Sequence, residues 1–321
     1  MTGFEDGVAP SGGWAVEARG LGKDYGDITA VDGIDLHVAK GEFFGLLGPN
    51  GAGKTTTIHM LTTLLRPSSG MAAVAGLDVV RMPLEVRRRI GIVFQETTLD
   101  LELTAEENLR FVARLYGLTA RESAERVNEL ISLFGLDSRR HNRVRTFSGG
   151  MRRALDLARG LLHRPAVLFL DEPTLGLDPV QRRSIWKYLH TLRERAGTTL
   201  FVSTHYLEEA DGCDRVAIID RGRIIVAGAP EQLKQTYGEE ILEIEADGVD
   251  DALIQEIHQL TGRAPEPTPR GLRLPVECTE KILPELVPLL GNGLRSASVR
   301  RPTLEDVFVA VTSRAPAGKV S

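Results

Sequence analysis

Nine residues constrain this chain more than any others. Gly48, Pro49, Asn50, Gly51, Ala52, Gly53, Lys54, Thr55 and Thr56 read GPNGAGKTT, and the first eight fit the pattern G-x-x-x-x-G-K-[ST]. An apolar run, Phe43 to Leu47, comes before them. Ile58, Leu61 and Leu65 follow at helical spacing, so the loop joins a strand to a helix predicted over 55–65. Glycines let backbone N–H groups curl around phosphates without a Cβ in the way. In that setting Lys54 reaches β- and γ-phosphates and the Thr55 hydroxyl serves Mg2+.

A phosphate loop of this kind needs an acid for the metal. The run AVLFL at 166–170 shows no polar alternation, as expected of a parallel strand buried on both faces. It delivers Asp171 and Glu172 at its carboxyl end, where open α/β sheets bind ligands. Adjacent carboxylates in a loop are ordinarily solvated surface. Here the setting divides the work: Asp171 holds Mg2+, directly or through water, and Glu172 orients or deprotonates an attacking water. Gln95 and His205 each lie just past another apolar run. Taken alone, Gln95 is an ordinary polar loop residue and a lone His205 a coincidence, but His205 stands at the carboxyl end of a neighbouring strand, where a γ-phosphate is within reach. Tyr25 suits either a hairpin surface or a platform for a purine ring.

A second anion site is written further on. Ser148, Gly149 and Gly150 open a periodic helix, and helix starts offer free N–H groups and a positive dipole end. Two earlier helices carry capping boxes, Thr104 with Glu107 and Thr119 with Glu122. Leu99, Leu101 and Leu103 alternate with Asp100 and Glu102, so not all three are expected in the core. A hairpin is expected to turn at Arg221-Gly222.

The net charge of −5 argues against a nucleic-acid domain with a dominant basic face. Cys213 and Cys278 have no metal-like spacing and read as two reduced thiols. No run approaches the eighteen uncharged apolar residues of a membrane span. The first fourteen residues lack the basic and apolar regions of a signal peptide and are expected to form a mobile tail. The pattern is α/β up to 228. Past 240 it becomes strand, helix, strand, helix, strand, helix, with GRAPEPTPRG as a mobile loop. The expected domains are a tail at 1–14, a nucleotide-binding domain at 15–238 with a helical part at about 96–160, a small α+β domain at 239–312 and a tail at 313–321.

In order and spacing these residues resemble the ATP-binding cassette (ABC) family over about 16–235. The phosphate loop, Gln95, the FSGGM segment, LFLDE, the Gly176–Asp178 segment and His205 each match one of that family's motifs. Phe147 and Met151 flank the Ser-Gly-Gly core where LSGGQ is commonest in the family. The resemblance implies a P-loop NTPase fold: a RecA-like core with antiparallel β and helical subdomains, plus the small C-terminal α+β domain. It implies ATP as substrate, Mg2+ on Thr55, Gln95 and Asp171, and catalysis by Glu172, His205 and Lys54. The nucleotide would also meet Tyr25, residues 48–56 and Asp178, and Ser148, Gly149 and Gly150 would serve ATP held by a second cassette packed head to tail. The implied partners are that second cassette, as a homodimer, and a separate integral membrane permease, with Leu99, Leu101 and Leu103 as candidate anchors for its short helix, and no nucleic acid; the place is the cytoplasmic face of the cell membrane. The tail RRPTLEDVFVAVT resembles that of daunorubicin/doxorubicin-resistance exporter ATPases.

Two other classes compete. Cassettes acting on ribosomes or DNA usually carry two cassettes or a long coiled-coil insertion, and this chain has one phosphate loop and no such insertion. A non-hydrolytic nucleotide sensor would be expected to lack the base, and Glu172 is present.

Overall fold

The structure, a computed structural model, describes residues 13–276 and 279–314. Most of the two expected tails and Cys278 lie outside the described residues. Contacts divide the chain between Ala229 and Pro230.

The first unit holds two sheets. Strands β1 (Trp14–Tyr25), β2 (Ile28–Ala39), β4 (Ser69–Val74) and β5 (Leu77–Asp78) form an antiparallel sheet in the order β2-β1-β4-β5. The other contains β3 (Phe43–Leu47), β6 (Ile90–Val93), β7 (Val167–Asp171), β8 (Thr199–Thr204), β9 (Arg215–Asp220) and β10 (Arg223–Gly228), in the order β10-β9-β3-β8-β7-β6. All its pairings are parallel except the β9–β10 hairpin. Every residue of β3, β7 and β8 is buried, which is why these strands read as unbroken apolar runs. The hairpin turns at Arg221 and Gly222, both at positive φ (46° and 77°), as a type I′ turn requires.

Helix α1 (Lys54–Leu61) follows β3 directly and ends earlier than the expected 65, where Thr63 takes a left-handed φ of 66°. Helix α2 (Pro83–Arg89) precedes β6. Helices α3 (Ala105–Leu115) and α4 (Ala120–Leu133) both start with the predicted capping boxes, fully hydrogen-bonded. Helix α5 (Gly149–Gly160) leads into β7, and α6 (Pro179–Ala196) joins β7 to β8. Leu99 is only 8% exposed, so it belongs to the core and not to a partner surface; Leu101, at 40%, remains outside. Cys213 is buried and free.

The second unit begins with α7 (Pro230–Tyr237), which packs on α10 (Leu304–Arg314). By its contacts this helix belongs to the second unit. Between them run β11 (Glu240–Ala246), α8 (Asp251–Thr261), β12 (Glu266–Thr268), β13 (Gly271–Val276), α9 (Thr279–Leu290) and β14 (Leu294–Arg300), with the antiparallel order β12-β13-β11-β14. The loop expected to be mobile contains β12, which pairs Glu266 with Arg273 at the sheet edge. Its Pro267 sits on an edge strand, where a missing N–H is tolerated.

Candidate nucleotide site

The phosphate loop is held from behind by the neighbouring hairpin. A Cβ on Gly48 would stand 2.2 Å from the Ile219 carbonyl oxygen, and one on Gly53, at φ 104°, 2.6 Å from that of Ala30. Neither position admits a side chain. Gly222 N donates to the Ala52 carbonyl at 3.0 Å. Inside this curl the buried Lys54 Nζ donates to the carbonyls of Gly48 (2.8 Å) and Pro49 (3.1 Å).

The acids arrive from β7. Asp171 Oδ1 accepts from Ser203 Oγ at 2.5 Å. Glu172 leaves the strand at φ 45°, a conformation a non-glycine residue adopts only when its surroundings hold it. Its N–H donates to both the carbonyl and the hydroxyl oxygen of Ser203, each at 3.1 Å. Its carboxylate lies between the Lys54 ammonium and the His205 imidazole: Oε1 is 3.2 Å from Lys54 Nζ, and Oε2 is 3.1 Å from His205 Nδ1. The His205 contact has ion-pair distance without hydrogen-bond alignment, which leaves that buried nitrogen unpartnered.

These groups share one cleft of about 370 Å³, lined by Ala30, Asn50, Gly51, Gly53, Lys54, Thr55, Thr56, Gln95, Glu172, Leu175 and His205. Asp171 stands beside Glu172 beneath it, with one carboxylate oxygen committed to Ser203. Hydroxyl, amide and carboxylate oxygens from Thr55, Gln95 and Asp171 suit Mg2+, which binds few protein ligands alongside water and substrate phosphates.

Five expected site residues lie elsewhere. Ser148 caps α5, accepting from Met151 N at 3.3 Å, and with Gly149 is exposed; Gly150 allows α5 to approach Gln181, 2.8 Å from where its Cβ would be. None of the three lines the cleft. Asp178 is exposed and caps α6 through Val180 N and Gln181 N, both at 2.9 Å. Tyr25, 49% exposed, ends β1 with Lys23 Nζ 5.3 Å over its ring.

Sequence reasoning missed three supports. Ser203 fixes both acids. Glu209, deeply buried, accepts from the hydroxyls of Thr174 (2.7 Å) and Thr204 (3.1 Å), which joins the loop after Glu172 to the loop of His205. Arg153, only 7% exposed, donates to the carbonyls of Phe94, Pro173, Glu172 and Asp171. Burial lowers its pKa to about 10 against the nearby charges of Asp156 and Asp171. Helical periodicity alone puts Arg153 on the apolar face of α5, and that was the available signal.

Comparison with known proteins agrees with this geometry. The ABC transporter family profile matches residues 31–175. The daunorubicin resistance ATP-binding protein DrrA3 of Streptomyces coeruleorubidus is 43% identical over 312 residues, covering 93% of this chain and 96% of that one. The chain belongs to the ABC transporter family. This ABC protein is also 43% identical to the daunorubicin/doxorubicin resistance ATP-binding protein DrrA of Streptomyces peucetius (93% and 92% covered), and 37% identical to the linearmycin resistance ATP-binding protein LnrL of Bacillus subtilis (93% and 98%). Among solved structures it resembles a dimeric ATP-binding cassette in a post-hydrolysis state with ADP and Pi (TM-score 0.61, 26% identity, 67% of this chain and 98% of that one). It also resembles cbiO1 of Clostridium perfringens, part of the ABC transporter complex cbiONQ (0.66, 27%, 77% and 95%). As an ABC ATPase subunit it hydrolyses ATP to drive transport. No described helix is long and apolar enough to cross a membrane.

Proposed function

We propose that two copies of this ABC ATPase pack head to tail and drive export of a drug-like molecule through a separate membrane permease. The observation that carries the reading is the separation of two phosphate-binding elements. The cleft of Lys54 holds Glu172 but not the Ser148–Gly150 helix start, where Ser148 and Gly149 are exposed. A second copy supplies what each cleft lacks. Resistance to daunorubicin, doxorubicin and linearmycin in the names of its relatives supports a drug as cargo.

In this reading the curl of residues 48–56 binds the phosphates of ATP, and Lys54 holds the β- and γ-groups. Mg2+ on Thr55, Gln95 and Asp171 would neutralise charge that develops on them. Glu172 orients or deprotonates the attacking water, and His205 contacts the γ-phosphate from the neighbouring strand end. Ser148, Gly149 and Gly150 clamp the γ-phosphate held by the other copy, Asp178 lies at that interface, and Tyr25 stacks on the purine. Hydrolysis removes the shared ligand, and the pair opens.

The permease meets a groove of about 280 Å³ beside the cleft, whose lining includes Leu64, Arg87, Phe94, Val112, Tyr116 and His163. Phe111 and Leu115 stand exposed at 58% and 69% on the same helix as Val112. Apolar anchors with a polar rim suit an amphipathic helix, and the chain then works at the cytoplasmic face of the membrane. The test is trapping: Glu172→Gln with ATP and Mg2+ should elute as a dimer in size-exclusion chromatography. A monomer that hydrolyses ATP at the wild-type rate contradicts the reading.

A further inference from the structure

We propose that Arg153 is a positioning residue that holds the catalytic turn at Glu172 and the approach to Gln95 in register with the Ser148 helix. The proposal rests on the reading of Glu172 as the base. Arg153 lies on α5, the helix that Ser148 caps. Its Nη1 donates to the carbonyl of Phe94 at 2.5 Å, and Phe94 immediately precedes Gln95. Its Nε donates to Pro173 O at 2.5 Å, and Nη2 to Glu172 O at 3.2 Å and Asp171 O at 3.4 Å. One planar fork thus grips the carboxyl ends of β6 and β7 together.

Stability alone is a poor account of this arrangement. A guanidinium buried to 7% exposure gives up hydration, and the nearby carboxylates of Asp156 and Asp171 offset that only in part. An apolar side chain of similar length would fill the space but leave the carbonyls of Phe94 and Pro173 without this donor. What an apolar side chain lacks is a grip on the backbone of Glu172. That backbone sits at a left-handed φ of 45°. Ser203 holds its N–H and Arg153 holds its C=O, so both ends of the strained unit are fixed from different elements. Ser203 answers to β8, and Arg153 answers to α5. A displacement of α5 when Ser148 engages a nucleotide is thereby passed to the base and to Gln95.

The test uses the full chain with Arg153→Met, Arg153→Lys, Glu172→Gln and the Arg153→Met/Glu172→Gln pair. Turnover is scored per bound nucleotide so that misfolded protein does not count. Arg153→Met should lower kcat at least about tenfold, with nucleotide affinity within about twofold of wild type. Arg153→Lys keeps the charge but not the fork, and should recover part of that loss. If Arg153 acts through Glu172, the double variant should be no slower than Glu172→Gln alone. If Arg153→Met does not fold, Arg153→Lys carries the test by showing reduced kcat at unchanged affinity. Unchanged kcat in the variants that fold, or a full multiplication of losses in the double variant, overturns the role. Wild-type turnover in Glu172→Gln overturns the base assignment itself, whereas a slow Glu172→Gln beside fully active Arg153 variants overturns only the positioning role.

Discussion

The carboxylate of Glu172 bridges Lys54 and His205: one oxygen is 3.2 Å from Lys54 Nζ and the other 3.1 Å from His205 Nδ1. Glu172, Lys54 and the His205 imidazole are therefore ordered relative to one another across the cleft. Glu172→Gln keeps the shape of this bridge and removes its charge and basicity. Steady-state ATP hydrolysis should fall about 10²–10⁴-fold, the usual contribution of a positioned base, while fluorescent-nucleotide titration finds ATP still bound.

Lys54→Ala should separate from that behaviour. Removing a charged donor to phosphate forfeits about 1.5–3 kcal/mol, roughly ten- to a hundredfold in affinity. Equilibrium dialysis should show the loss directly, and no ATP-dependent dimer should form. Ser148→Arg should do the reverse, leaving the affinity of the isolated chain nearly intact while hydrolysis collapses. A mixture of the two variants contains dimers with one wholly intact composite site, and recovery of activity in the mixture marks the site as shared.

Much of the site was legible because its parts are local. A strand, a glycine loop and a helix occupy consecutive residues, and Asp171-Glu172 sit at the end of an apolar run, so residue order alone carries the geometry. The capping boxes of α3 and α4 and the Arg221-Gly222 turn are local in the same way. What escaped depends on distance in sequence. Ser203 lies on another strand from the acids it holds, and Arg153 grips carbonyls that no side-chain pattern advertises. Leu99 read as a surface anchor because alternation cannot tell which face of an irregular segment is covered. Strand β12 was hidden by Pro267 and the prolines on either side of it, which an edge strand tolerates because it needs only half its N–H groups.

The difference between Leu99 and Leu101 is testable. Leu99→Ala removes a core side chain and should cost about 2–5 kcal/mol of stability in a urea titration. Leu101→Ser should leave stability within about 0.5 kcal/mol. If the segment after Gln95 faces the permease, Leu101→Ser should also reduce drug efflux from cells without lowering the basal ATPase rate of the purified chain.

Acid should loosen the second unit through Asp306. Partial burial raises its carboxyl pKa, but hydrogen bonds from Arg300 and from Thr303 outweigh this and hold it below the ordinary value of 3.8. A depressed folded pKa gives stabilisation that is present above the unfolded value and lost as pH falls through the folded one. The Tm difference between wild type and Asp306→Asn, followed by circular dichroism, should stay constant above about pH 5 and shrink below about pH 3. A difference independent of pH would remove the carboxylate from the account.

In the proposed dimer the Ser148 helix start serves a nucleotide bound by another copy. The most direct measurement is a crystal or cryo-EM structure of the Glu172→Gln chain with ATP and Mg2+. The account predicts a head-to-tail dimer in which Ser148 Oγ and the N–H groups of Gly149 and Gly150 lie within hydrogen-bond distance of the γ-phosphate held by Lys54 of the second copy. A structure with ATP bound in which Ser148 faces bulk solvent, or the phosphates of its own subunit, would contradict it.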